Sequence, residues 1–389
     1  METPCIVGWG HTPFGRLDHF DLEGLMVESA RLALADAGLR ARDVDAVFVS
    51  HFNAGMVPDG FASSLPFGAD DDFRFTPTVR LENACASGSA AIHAALDAIG
   101  SGRVRIALVV GAEKMTAADG PAVTAALARA SYHREEGARG LTFPGIFALI
   151  AREYFARHGD HGATLARIAA KNHANGARNP LAHLRRDLGF DFCNTVSERN
   201  PIIAAPLRKT DCSTVADGGA ALVLAAAPLA RGFRRAVRFR SATQVNDFLP
   251  MSRRDPAAFE GPRRAWRRAL DDAGIGIRDL DLAEVHDCFT IAELLSYEAM
   301  GLAEAGQGAR CLDDGTVAPG GALPVNPSGG LKAKGHPVGA TGVSMHVMAA
   351  MQLCGEAGDI QVPGAELAGV FNMGGSVVAN YVSVLERAA

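Results

Sequence analysis

The sequence predicts an α/β protein made of two related halves, and three observations carry that prediction. Apolar, strand-like runs alternate with helical periods along most of the chain. Short blocks of the second half echo blocks of the first in the same order. Polar, reactive residues collect where these core elements end. Size and composition agree: 389 residues exceed one ordinary domain, and 48% apolar with 21% charged residues suits a well-packed globular protein. A formal net charge of −5 speaks against non-specific binding to nucleic acid or acidic membranes. No apolar stretch reaches about 18 residues, so no membrane-spanning helix is expected. The first residues, Met1-Glu-Thr-Pro-Cys-Ile-Val-Gly8, lack a basic region and do not read as a signal peptide. The ending Glu386-Arg-Ala-Ala389 is not a peroxisomal address. Seven cysteines at irregular spacing, with no Cys-x-x-Cys pair, suit free thiols in a reducing cytoplasm.

In chain order, residues 4–9 form an apolar run that predicts the first strand. Residues 22–39 show helical periodicity and stop at Asp36-Ala-Gly38, where glycine can take the left-handed cap. Residues 44–50 are β-rich and predict a second strand. Residues 52–78, rich in Gly, Pro and Asp, read as a long loop. Asn83-Ala-Cys-Ala-Ser-Gly88 then opens a small-residue helix with Ile92, Leu96 and Ile99 at helical spacing. A strand follows over 106–110, closing at Gly111-Ala-Glu-Lys114. Between 116 and 194 the rhythm changes to an Ala-rich helix and a basic, His-rich stretch, which reads as an insertion covering a site. The core is expected to resume at 202–214 and in a strand over 220–227. Residues 228–242 carry five arginines and read as a crossover between halves.

The second half repeats the first. Asp36-Ala-Gly-Leu-Arg-Ala-Arg-Asp-Val-Asp45 is echoed by Asp272-Ala-Gly-Ile-Gly-Ile-Arg-Asp-Leu-Asp281, each between a helix and an apolar run. Cys85-Ala-Ser-Gly88 lines up with His336-Pro-Val-Gly339, and 108–111 with 369–372. Duplicated units packed about a pseudo-twofold axis would bring equivalent helix starts, and so Cys85 and His336, towards one centre. A thiol beside an imidazole is an activated nucleophile in the making. At a helix start the dipole should also help the thiol lose its proton. Cys288, in His286-Asp-Cys-Phe289 after a strand, offers a second thiol for acid/base work. Backbone N–H groups at Cys85 and Gly374 could hold an oxyanion.

Asn83-Ala-Cys-Ala-Ser-Gly88, His286-Asp-Cys-Phe289 and Asn326-Pro-Ser-Gly-Gly-Leu-Lys-Ala-Lys-Gly-His-Pro-Val-Gly-Ala-Thr-Gly342 together resemble the motifs of the thiolase superfamily. His-Asp-Cys-Phe narrows the resemblance to the sterol-carrier-protein type and the related bacterial and archaeal acetyl-CoA acetyltransferases. The likeness runs over nearly the whole chain. It implies a thiolase fold: two duplicated βαβαβαββ halves in five layers, α-β-α-β-α. The N-terminal half would be 1–115 with 195–228, the loop domain over the site 116–194, and the C-terminal half 229–389. It further implies a cytoplasmic acyl-CoA:acetyl-CoA C-acyltransferase of lipid metabolism, usually a homodimer or tetramer. Coenzyme A thioesters would be its substrates, with no bound cofactor and no metal.

Residue by residue, the resemblance makes Cys85 the nucleophile that takes the acyl group. His336 would activate it and line an oxyanion hole. His286 falls where common thiolases place the Asn of Asn-Glu-Ala-Phe, which holds a water for that hole. Cys288 would be the second catalytic thiol, and the N–H groups of Cys85 and Gly374 a second hole. One departure matters: common thiolases carry the second cysteine in a C-terminal Cys-x-Gly-Gly, and here that position is Asn372. Cys288 supplies the thiol from the opposite wall instead. Cys85 would attack a thioester, and Cys288 would take the α-proton of a second acyl-CoA, or protonate the leaving acetyl-CoA in reverse.

Plainer readings stand beside these. His286 could be a core histidine, but its position in the repeat and its neighbours Asp287 and Cys288 favour the site. Asp287 itself reads as a support for the turn. Gly329 to Gly342 lacks the Gly-Lys-Ser/Thr of a phosphate cradle. His158 and His161 read as surface histidines near a helix end, not a metal pair. Cys5, Cys193, Cys212, Cys311 and Cys354 read as structural. A decarboxylating ketosynthase would resemble Glu-Ala-His-Gly-Thr-Gly where this chain has Glu284-Val-His-Asp-Cys-Phe. Three rivals remain: a C-acyltransferase to a non-CoA acceptor, a thiolase-like subunit working with a small OB-fold, zinc-ribbon partner, and a non-catalytic scaffold on the same fold.

Overall fold

The computed structural model describes residues 3–388. β1 (Cys5–His11) leads to α1 (Leu22–Ala37), which begins where Asp21 accepts the Gly24 N–H and ends at Gly38 in the left-handed region, φ 68°. β2 (Ala46–Ser50), β3 (Thr78–Leu81), α2 (Ser87–Gly100) and β4 (Ile106–Glu113) continue the expected alternation. The inserted stretch is more regular than its sequence suggests. It holds α3 (Gly120–Ala128), α4 (Phe143–His158), α5 (Gly162–Arg178) and α6 (Gly189–Asn194).

Two expectations need refining here. Residues 202–214 rejoin the core by packing but not the main sheet: β5 (Ile202–Ala204) and β6 (Leu207–Arg208) pair with each other, while Leu207 lies in the main apolar cluster and Thr210 and Asp211 are buried. Ile202 and Ile203 are 43% and 48% exposed. Pro201 and Pro206 lack amide donors, so this segment cannot offer a full ladder to a sheet. The sheet resumes at β7 (Gly218–Ala225), followed by the short α7 (Ala227–Ala230). Nor is the arginine-rich stretch all crossover, because β8 (Val237–Asn246) starts inside it. Val237, Phe239, Ser241 and Thr243 are buried while Arg238 and Arg240 alternate between them, a period of two that the arginines hide.

The second half then runs α8 (Glu260–Ala273), β9 (Leu282–Val285), α9 (Thr290–Ala299), α10 (Arg310–Asp313), α11 (Gly330–Lys334), α12 (Thr341–Leu353), β10 (Leu367–Gly374) and β11 (Ala379–Arg387). The repeat is visible in detail. α8 ends at Gly274 with φ 65°, as α1 ends at Gly38. The main sheet has the order β3-β2-β4-β7-β1-β8-β11-β10-β9. Outward from the β1–β8 junction, the halves read β1-β7-β4-β2 and β8-β11-β10-β9, equivalent strands in equivalent places. The junction is thin: Cys5 pairs with Arg238 and Ile6 with Val237. A counterpart of β3 is reduced to one bridge, Ala283 to Val325. Pro324 has no N–H to give, and Asn326 turns to φ 55°, which ends the ladder.

Alternate residues of each strand face different layers. Leu108 and Val110 of β4 share a cluster with Leu25, Met26 and Ala33 of α1, whereas Ala107 and Val109 face the core that holds Ile92 of α2 and Val343 of α12. α12 touches β4 and β7 of one half and β9, β10 and β11 of the other, so α2 and α12 form the middle layer. α8 covers the outer face of the second half, with Trp266 near Phe371 (ring centroids 6.4 Å). The central helices meet through glycine. A Cβ on Gly88 would lie 2.6 Å from the Val343 nitrogen, and one on Gly342 would lie 2.4 Å from that of Ser89. That contact draws the starts of the two equivalent helices together.

Candidate active site

Cys85 sits two residues ahead of α2, in a turn that holds Ala84 at φ 49°. The Ala86 N–H donates to the Asn83 carbonyl and the Ser87 N–H to that of Ala84. The thiol is 4% exposed and packs in an apolar cluster with Phe52, Met56, Met115, Val338 and, from α3, Val123 and Ala126. Two residues of the inserted stretch thus pack beside Cys85. Burial pushes the thiol up to about 12, against the opposing pull of its own amide and that of Gly375. The expected help from the helix start is offset here: α2 begins beyond the sulfur, and dehydration outweighs the nearby donors. A base must take this proton.

Two histidines stand ready. A ring nitrogen of His286, one of His336 and Sγ of Cys85 all lie within 4.8 Å of one another. The rings meet edge to face, centroids 5.2 Å apart at 88°. His286 follows β9, and His336 lies in the loop between α11 and α12. His336 Nδ1 is 2.7 Å from Thr341 Oγ1, whose hydroxyl donates to the Pro337 carbonyl at 2.9 Å. Burial, with help from the Lys334 charge, holds His336 down to about 3. Burial, then His336, also keeps His286 well below its ordinary value. Both rings are neutral at neutral pH. Asn372, near the end of β10, reaches His286 Nδ1 at 2.9 Å and the Cys85 carbonyl at 3.1 Å.

Cys288 is 2% exposed and near enough to Cys85 that each charge would oppose the other; burial first, then Cys85 and Asp287, push its thiol well above the ordinary range. Its ring neighbour Phe289 stacks on Phe147 of α4 at 4.5 Å. Asp287 supports the turn, as its sequence context suggests. It accepts the Leu331 and Lys332 N–H groups of α11 and the Asn172 amide of α5. Gly374 lets β10 press against the Cys85 turn, since a Cβ there would sit 2.2 Å from the Asn83 oxygen. Beside Cys85's own amide, that of Gly375, next to Gly374, also draws the Cys85 thiol down.

Sequence reasoning missed two supports. Glu113 ends β4 fully buried and accepts the N–H groups of Phe52, Asn53 and Gly339, with His51 Nδ1 at 3.0 Å. It ties the first-half loop to the loop of His336. The one signal was a carboxylate closing an apolar strand. The second is a buried chain, Lys334 Nζ to Ser344 Oγ at 2.5 Å and Ser344 Oγ to His11 Nε2 at 2.7 Å. Burial holds Lys334 down to about 8. Elsewhere, His158 and His161 pack their rings on Tyr154. All seven cysteines are free thiols, and no helix of the described residues is long and apolar enough to cross a membrane.

Comparison with known proteins bears on this arrangement. The family model described as "Thiolase, N-terminal domain" matches residues 5–228, and "Thiolase C-terminal domain-like" matches 243–387. The chain is 36% identical over 394 residues to an acetyl-CoA acetyltransferase of Methanothermobacter thermautotrophicus, with 100% of both chains covered. It is 30% identical over 393 residues to sterol carrier protein 2 of Homo sapiens, covering 96% of this chain and 70% of that one. A solved structure described as "Ltp2-ChsH2(DUF35) aldolase" shares the fold at TM-score 0.82 and 20% identity, covering 99% of this chain and 98% of that one. With both family models matched and a full-length relative at this identity, the chain belongs to the thiolase family and is an acyltransferase.

Proposed function

We propose that this protein is an acyl-CoA:acetyl-CoA C-acyltransferase that works through an acyl-enzyme on Cys85. The observation that carries the reading is the meeting of one thiol and two neutral imidazoles within 4.8 Å, with a second buried thiol alongside. Cys85 gives its proton to His336 Nε2 and attacks the thioester carbonyl. The oxyanion is held by the imidazoles or by the amides of Cys85 and Gly375, with Gly374 allowing that strand end to approach. As the C–S bond breaks, Cys288 protonates the departing CoA sulfur. The Cys288 thiolate then takes the α-proton of a second acyl-CoA, and the carbanion attacks the acyl-enzyme. Cys85 leaves and recovers its proton from His336. Both directions start with Cys288 as a thiol, the form that burial favours.

In this reading residues 116–194 are the loop domain, over halves formed by 1–115 with 195–228 and by 229–389. The enzyme works in the cytoplasm and needs no bound cofactor. A homodimer is supported by β3, which pairs only with β2 and so offers a free sheet edge, with Phe61, Phe75 and Val79 exposed nearby. A second reading, a subunit that needs a protein partner, draws support from the likeness to a solved structure titled for two components.

The test is intact mass and peptide mapping after mixing with acetyl-CoA, on wild type and Cys85→Ala. An acetyl group on Cys85, absent from the variant, is the expected result. No adduct with acetyl-CoA or longer acyl-CoAs would sink the reading for the isolated chain and favour the partner-dependent subunit or a scaffold.

A further inference from the structure

Cys85, His286 and His336 pose a problem that acyl transfer alone does not answer. One thiol and two imidazoles with their ligand atoms within 4.8 Å form the donor set of a three-ligand zinc site with an open position. Whether zinc can take such a set depends on which ring nitrogens carry hydrogen. The positions of those hydrogens can be read from partners that have no choice of role.

The Cys85 carbonyl oxygen can only accept, so the Asn372 atom 3.1 Å from it is the amide nitrogen, Nδ2. The other end agrees, because Asn372 Oδ1 is 2.8 Å from Ser89 Oγ, which donates to it. The same Nδ2 stands 2.9 Å from His286 Nδ1. That ring nitrogen must accept, so the His286 proton is on Nε2. At His336 the logic runs the other way. The Thr341 hydroxyl spends its one hydrogen on the Pro337 carbonyl at 2.9 Å, so at 2.7 Å it accepts from His336 Nδ1–H. The bare nitrogen of His336 is Nε2. The two rings hold opposite tautomers: His336 presents a lone pair, and His286 presents an N–H.

We propose that Asn372 is a positioning residue that locks His286 as a hydrogen-bond donor and thereby denies the site to divalent metal. A metal ligand must be an unprotonated nitrogen. Baring His286 Nε2 would move its proton to Nδ1, where it would face the Asn372 N–H, donor against donor. Turning the amide over would set Oδ1 against the Cys85 carbonyl and put the NH2 group where Ser89 now donates. Asn372 occupies the position of the missing second cysteine, and its amide can do on that side what a thiol cannot: donate to both the Cys85 carbonyl and His286. The metal part of this inference does not depend on the acyl-transfer reading.

Asn372→Asp tests it. A carboxylate of the same shape gives up the bond to the Cys85 carbonyl, but still accepts from Ser89 and accepts a hydrogen bond from His286 Nδ1–H, which leaves Nε2 bare. Zinc affinity at pH 7, measured by competition with a chromophoric chelator, should rise about 10–100-fold over wild type, the usual reach of such supporting groups. The gain should vanish in Asn372→Asp combined with His286→Ala. Cobalt substitution should show tetrahedral d–d bands with thiolate charge transfer in the variant only. Equal zinc affinity in wild type and variant would overturn the proposal. Selective 15N-histidine NMR of the wild-type protein needs no variant to fold. His286 Nδ1 should give the unprotonated shift and His336 Nδ1 the protonated one; a protonated His286 Nδ1 would overturn the lock by itself.

Discussion

At the scale of single residues, the site separates having a thiol from having a thiolate. Burial holds the Cys85 thiol up to about 12, so the free enzyme keeps it protonated at neutral pH. Alkylation of Cys85 by iodoacetamide should therefore rise steadily from pH 6 to pH 10 with no plateau. A plateau near neutrality would show a thiolate already formed. Glu113 yields a second prediction. It satisfies three backbone donors and His51 at once, and glutamine would turn an N–H towards some of them. Glu113→Gln should cost about 1–3 kcal/mol of stability by denaturant titration and lower kcat by freeing the His336 loop, with KM little changed. Wild-type kcat in this variant would leave Glu113 a purely structural part. The contrast between Cys85 and Glu113 explains what was legible. Cys85, His286, Cys288 and His336 lie in contiguous motifs whose residue types name their chemistry. Glu113 meets Gly339, and His11 meets Ser344, only because the fold joins distant segments. No local pattern announces such pairs.

At the scale of elements, the middle layer carries the site because it lets two helix starts touch. Gly88 and Gly342 have no room for a methyl group, since the nearest backbone atoms would lie at 2.6 Å and 2.4 Å from a Cβ. Gly88→Ala should push α2 and α12 apart, cost about 1–3 kcal/mol or more, and cut acyl-enzyme formation on Cys85 far more than overall folding. Thermal melting and the acetyl-CoA mass shift measure both effects; unchanged acylation would mean the helix contact does not set the Cys85–His336 distance. The elements were read best where a stop signal and a period agreed, as in α1 and its Gly38 cap. They were misread where composition masked the period. β8 alternates inward apolar or hydroxyl residues with outward arginines, and its charge hid the strand. Residues 202–208 form a hairpin outside the main sheet with Ile202 and Ile203 exposed, yet Leu207 and residues 210–211 are buried, so core membership here does not follow sheet membership.

At the scale of the whole molecule, duplication creates a middle layer in which polar groups from both halves are buried together, and this makes the protein sensitive to acid. Burial holds His11, His93, His173 and His336 down to about 3, His346 to about 4, and His286 well below its ordinary value. An unfolded histidine takes up its proton near pH 6.5, so between there and about 4 the unfolded chain binds more protons than the folded one. Stability therefore rises with pH across that window and is lost as pH falls through it. Each such histidine contributes up to about 1.4 kcal/mol per pH unit. Asp36, Glu284, Asp287 and Glu356 act in the opposite sense, since burial raises all four and the folded state then holds their protons longer. With His183 also lowered by burial, seven histidines outweigh four carboxyls. The melting temperature should be flat above about pH 7, fall steeply from pH 6.5 to pH 5, and be accompanied by uptake of several protons on unfolding, measurable by calorimetry in buffers of different ionisation heat. His346 offers the control, being clear of Cys85 and bonded to the Gly342 carbonyl and Ser383 Oγ. His346→Gln should make the acid limb shallower by about one proton, and an unchanged limb would mean that the buried histidines are not what acid titrates.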